Sequence, residues 1–105
     1  MIILLDADTC SVTDADTLTD LRVVTGLDDA SSLGRAARTA ELGTVDPGDA
    51  TYVSVDVERL RTLGRGSATL EDWDERFDAM IAYAGRKGWL SGDGGAVRAH
   101  VERPA

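Results

Sequence analysis

The chain has 105 residues, 43% of them hydrophobic and 29% charged, which is the length and composition of one globular domain and excludes a disordered tail or a second core. A net charge of -8 and a pI of about 4.4 exclude nucleic acid and anionic membranes as partners, because both demand clustered Lys and Arg. The acid is uneven: residues 1–50 carry ten Asp or Glu against three Arg, a net of -7, and residues 51–105 a net of -1. A basic partner would favour the N-terminal half; without one, the acid is a solvated surface. A single cysteine allows no intramolecular disulfide. The apolar start is too short for a signal segment or a membrane span, so the expected location is the cytoplasm, with Cys10 reduced.

In chain order, Ile2–Leu5 is a short apolar run that predicts a strand buried on both faces. Thr13-x-x-Asp16 resembles a capping box, Leu18, Leu21 and Val24 follow at helical spacing, and Gly26 offers a stop; together they predict a helix near residues 14–25. Asp28 or Asp29 caps a second helix, whose narrow stripe is Leu33, Ala37 and Ala40 and whose stop is Gly43. The segment 45–50, Val-Asp-Pro-Gly-Asp-Ala, reads as a turn around Pro47 and Gly48.

Residues 51–57 alternate, with Val53, Val55 and Val57 on one side, and predict a half-buried strand. Asp56 caps a short helix carrying Leu60 and Leu63. Trp73, Phe77, Met80, Ile81 and Ala84 form one helical face, preceded by a Thr69-x-x-Asp72 box and closed by Gly88. Residues 91–95 are a glycine-rich loop, and Ala96–Glu102 alternates as a last strand. The expected fold is therefore α/β, one compact domain over residues 1–105. It would hold a small three-stranded sheet, with strands near 1–6, 51–57 and 96–102, covered by three to four helices.

The sequence Asp-Ala-Asp-Thr occurs twice, at 6–9 and at 14–17. Asp6 and Asp8 follow an apolar strand, the position where α/β sheets bind ligands, and two such carboxylates suit Mg²⁺. The same residues serve equally as turn formers. Over its first ten residues the chain resembles the first motif of the haloacid-dehalogenase-type phosphatases, an apolar strand followed by Asp-x-Asp. That resemblance implies Asp6 as nucleophile, Asp8 as general acid/base and Mg²⁺ as cofactor. Cys10 stands where that family has Thr or Val, and the only lysine is Lys87, at a helix end.

His100, the only histidine, is a further candidate for acid–base work, and a Cys10–His100 pair is conceivable because each is unique. An EF-hand is excluded from both Asp6 and Asp14, since Ser11 and Thr19 stand where the loop requires Gly. One Cys and one His do not make a zinc site. Gly92–Gly95 lacks the pattern of a phosphate loop. Trp73, Tyr83 and Trp89 could surround a small molecule if a cavity exists, and Trp89, if exposed, is an interface anchor.

No complete catalytic constellation is present. The reading is a non-catalytic protein-interaction or regulatory module without a cofactor, able to self-associate through the edge of its last strand, with Trp89, Val97 and Val101 as interface residues. The alternative is an Mg²⁺-dependent phosphoryl-transfer or metal-binding domain built on Asp6 and Asp8.

Overall fold

The computed structural model describes residues 1–46 and 48–103. Its elements are β1 (Ile2–Leu5), β2 (Cys10–Thr13), β3 (Arg22–Val24), α1 (Ala30–Thr39), β4 (Gly43–Asp46), β5 (Asp49–Asp56), α2 (Val57–Arg65), α3 (Trp73–Arg86) and β6 (Ala96–Glu102). The strands form one six-stranded mixed sheet in the order β2-β1-β3-β6-β5-β4. The central strands β1, β3 and β6 are parallel, and every other pairing is antiparallel. The class is α/β as expected, but the three-stranded sheet is corrected to six strands with three helices. No helix among the described residues is long and apolar enough to cross a membrane.

The three additional strands are each three or four residues long. β2 returns along β1 after a tight turn in which the Asp6 amide donates to the Thr9 carbonyl at 2.9 Å. The expected helix near residues 14–25 does not form. Asp14 adopts a left-handed φ of 52°, which Asp tolerates, and its carbonyl accepts from the Thr17 amide at 3.0 Å. Both copies of Asp-Ala-Asp-Thr are thus turns. The N-terminal ammonium then donates to the carbonyls of Thr17 at 2.5 Å and Asp20 at 2.8 Å, removing them from any helical ladder. The β-branched pair Val23–Val24 continues as strand β3 between β1 and β6.

Asp16 does not cap its own segment. Its carboxylate reaches 53 residues along the chain, accepting from the Thr69 amide at 2.9 Å and from the Thr69 hydroxyl. Thr69 is therefore no cap of α3; Asp72 is the N-cap residue and pairs with Arg76 at 2.9 Å, as the i,i+4 spacing anticipates.

The expected second helix is α1, capped by the Asp29 carboxylate on the Ser32 amide at 2.7 Å. It ends before Gly43: Glu41 takes the left-handed conformation, φ 56°, and the Leu42 amide closes on the Ala37 carbonyl at 2.9 Å. Gly43 instead opens β4, where an added Cβ would lie 1.9 Å from the Ser54 carbonyl oxygen. The turn expected at Pro47 lies outside the described residues. β5 ends one residue early, because the Asp56 carboxylate caps the Arg59 amide at 2.8 Å and Val57 becomes the first residue of α2. Gly88, at φ 80°, ends the α3 segment, and the Trp89 amide returns to the Ala84 carbonyl at 2.9 Å.

All three helices contribute to one core. Ile3, Leu5, Val23, Val53, Val55, Val97 and Val101 from the sheet meet Leu33, Leu60, Trp73 and Phe77. Trp73 stacks on Phe77 with ring centroids 5.1 Å apart, and its indole donates to the Ala15 carbonyl at 2.8 Å. Arg61 ties α2 to α3, lying over the Phe77 ring and pairing with Asp74 and Asp78.

β6 is an internal strand, held by β3 on one side and β5 on the other. The free edge expected of it is taken, and Val97 and Val101, at 2% and 6% exposure, belong to the core. The edges of the sheet are β2 and β4.

Candidate functional site

The strand period of two sends alternate residues to opposite faces of the sheet. Ile3, Val12, Val23 and Val101 share the helix-covered face and are buried. The opposite face carries Thr13, Ile2, Arg22, His100 and Tyr52 in one row across five strands, and Ser11, Leu4, Val24 and Glu102 in the next. No helix covers it: Leu4 is 40% and Tyr52 39% exposed, and Ile2 and Val24 are only partly covered. Arg22 crosses this face, pairing with Asp20 at 3.1 Å and approaching Glu102 at 3.5 Å.

At the N-terminal end of β1 and β3, the bare face opens into a cleft of about 890 Å³ between α3 and the segment 16–21. Leu18, Leu21, Met80, Tyr83 and Trp89 supply its apolar wall. Arg76, Arg86, Arg98 and His100 lie along it, with Asp16 and Asp20 at the loop end. Trp89 stands 43% exposed, edge-on to Tyr83 at 6.0 Å. A hairpin fixes its backbone: the Arg98 amide donates to the Trp89 carbonyl at 2.8 Å, and the Ser91 amide to the Ala96 carbonyl at 2.8 Å. Arg98 lies 4.8 Å over the Tyr52 ring, which His100 meets edge-on at 6.0 Å. A second hollow, about 620 Å³ beside the β4–β5 hairpin, shares Tyr52, Trp89 and Arg98.

Asp6 and Asp8 lie at the opposite end, beyond the C-terminus of β1, and both are exposed. Asp6 accepts from the Gly26 amide at 3.4 Å, joining the turn after β1 to the chain leaving β3. Among the described residues no three His, Cys, Asp or Glu side chains gather into a group that could hold a metal ion. Asp29 caps α1 and faces no metal partner. Cys10 is half-buried, and burial pushes its thiol up from its ordinary pKa, which favours the unreactive protonated form. Cys10 and His100 stand on opposite faces, with β1 and β3 between their strands, at least about 14 Å apart by strand spacing. The structure does not bring them together.

Of the three aromatics expected around a small molecule, Tyr83 and Trp89 line the cleft, whereas Trp73 belongs to the core. Sequence reasoning missed Tyr52 and Arg98. The signal was available: with Val53 and Val55 turned inward, Tyr52 must point outward, and a large aromatic on the outer side of a half-buried strand is informative. No protein-family model, curated protein or solved structure matches the chain significantly. The phosphatase resemblance therefore rests on its ten residues alone.

Proposed function

We propose that this chain is a non-catalytic protein-interaction domain that associates with a second copy of itself through the bare face of its sheet. One observation carries the reading: three parallel strands, β1, β3 and β6, stand side by side with one face uncovered. Parallel strands normally have both faces covered, and here Leu4 is exposed and Ile2 and Val24 are only partly covered. The face is also self-complementary in charge, with Arg22, Arg98 and His100 beside Asp20 and Glu102, so a two-fold axis can set basic against acidic side chains. Trp89, at the rim, is the anchor residue. The single, half-buried cysteine fits a reducing compartment, and the cytoplasm is part of the proposal.

Mass in solution tests it. We expect monomer at low micromolar concentration and dimer at high micromolar concentration. The dimer should persist at high salt, because added ions screen the repulsion between two copies of -8 as well as the pairs across the axis, and spare the apolar contact. Leu4→Glu should hold the protein monomeric while lowering the melting temperature by only a few degrees, about 4–8 °C per kcal/mol for a domain of this size. Monomer alone at high micromolar concentration, at every salt concentration, overturns the self-association.

A further inference from the structure

We propose that the cleft between α3 and residues 16–21 is a binding site for a small organic anion with a flat apolar body, such as an aryl carboxylate or sulfonate. The inference goes beyond self-association, although the cleft shares Trp89, Arg98 and His100 with the rim of the bare face. Its volume, about 890 Å³, falls within the range of small-molecule sites. One wall is apolar and aromatic, with Met80, Tyr83 and Trp89 placed to cover a flat ring.

The charge of the ligand follows from which groups are already engaged. Asp16 is committed to Thr69 and Leu70, and these hydrogen bonds hold its carboxyl below the usual range. Asp20 is paired with Arg22, and Arg76 with Asp72. Arg86 and Arg98 form no ion pair among the described residues; each rests on a tyrosine ring, Arg86 at 5.8 Å and Arg98 at 4.8 Å. In a chain of net charge -8, Arg86 on α3 and Arg98 on the sheet flank this apolar-walled cleft without an ion-pair partner among the described residues, Arg98 also acting on Asp49 at longer range. Arg98 and His100 are two apart on β6 and share a face, which sets their backbone positions about 7 Å apart beside the cleft. Contact with the Tyr52 ring, 4.8 Å from the guanidinium carbon, restrains Arg98, and its planar fork suits the two oxygens of a carboxylate or sulfonate.

The test is a nitrogen-15 NMR titration with 2-naphthalenesulfonate, run on wild type and on Leu4→Glu at low protein concentration. Two control ligands are neutral 2-naphthol and inorganic sulfate. We expect saturable shifts at the Trp89 indole and at the Arg98 and His100 amides, the same in Leu4→Glu. The naphthol and the sulfate should each bind about tenfold or more weakly, since each lacks one half of the recognition. Arg98→Gln should weaken the sulfonate about tenfold while leaving the melting temperature unchanged, and Arg86→Gln separates the contribution of α3. Absence of saturable shifts, equal binding of naphthol, or full affinity in both arginine variants overturns the site. Because the titration is run at low protein concentration, with mass in solution checking that both proteins are monomeric, failure of the anion site and failure of self-association read out separately.

Discussion

Ile3 and Leu4 are adjacent, similar in size and on the same strand, yet Ile3 is fully buried and Leu4 is 40% exposed. The same contrast runs across the sheet: Val23 against Val24, Val53 against Tyr52, Val101 against His100. One face is the core of the domain, and the other is built from the same backbone without a covering layer. Burial energy is thus concentrated on a single face, and the apolar side chains of the other contribute little to folding of the monomer. What they contribute is a surface.

The contrast predicts a graded series of effects. Ile3→Ala, which removes atoms from a packed interior, should destabilise by about 2–5 kcal/mol in denaturant unfolding. Next comes Gly43→Ala. Its Cβ must displace the Ser54 backbone, so β4 and β5 cannot keep their spacing, and a loss of about 3 kcal/mol is expected in the same experiment.

A smaller effect should appear in acid. Hydrogen bonds from the Thr69 hydroxyl and amide lower the Asp16 pKa in the folded state. A group lowered on folding stabilises the protein above its unfolded pKa, about 3.9 for Asp, and loses that contribution as pH falls through the folded value. Asp29, Asp49, Asp72 and Asp93 are lowered in the same sense by hydrogen bonds within four residues, and Asp74 by Arg65 and Arg61 of α2. Asp16→Asn should therefore leave an acid transition that is shallower but not abolished, measured as melting temperature against pH below neutrality. Steepness identical to wild type would contradict the long-range Asp16 clasp.

Leu4→Ala sits at the bottom of the series, costing the monomer about 0.5 kcal/mol. A cost comparable with Ile3→Ala would show that the two faces are not distinct in the monomer. Addition of Mg²⁺ should leave the melting temperature where EDTA leaves it, because Asp6 and Asp8 act in a turn. A ligand at a hundred times its dissociation constant would add about 2.7 kcal/mol, so a shift of that size, lost in Asp8→Asn, would restore the metal reading.

The elements legible in the sequence were those whose signal is local. α1, α2 and α3 each carry an apolar stripe and a flanking polar residue, and β5 and β6 alternate cleanly. β2, β3 and β4 are too short for a period: β2 and β4 form as hairpin partners of β1 and β5, and β3 because β1 and β6 flank it, with Arg22 between Ile2 and His100. The segment 14–25 misled because Leu18 and Leu21 fit a helix as well as a loop, and no pattern announces that an N-terminal ammonium will take two of its carbonyls. The Thr13-x-x-Asp16 and Thr69-x-x-Asp72 boxes misled together, since Asp16 and Thr69 satisfy each other across the fold.

The candidate site was legible only in part. Trp89 was singled out as an anchor and is exposed, whereas Val97 and Val101 depended on an edge that β3 and β5 occupy. The cleft draws Leu18, Met80, Trp89 and Arg98 from four separate segments, so no spacing rule could assemble it.

The most direct measurement follows the methyl resonances of Ile3 and Leu4 while protein concentration rises from tens of micromolar to millimolar. The account predicts that Leu4 and Val24 shift or broaden together with the Tyr52 ring, while Ile3 and Val23 stay fixed. If no resonance on the bare face moves, or if both faces respond alike, the division of the sheet into a core face and an association face is contradicted.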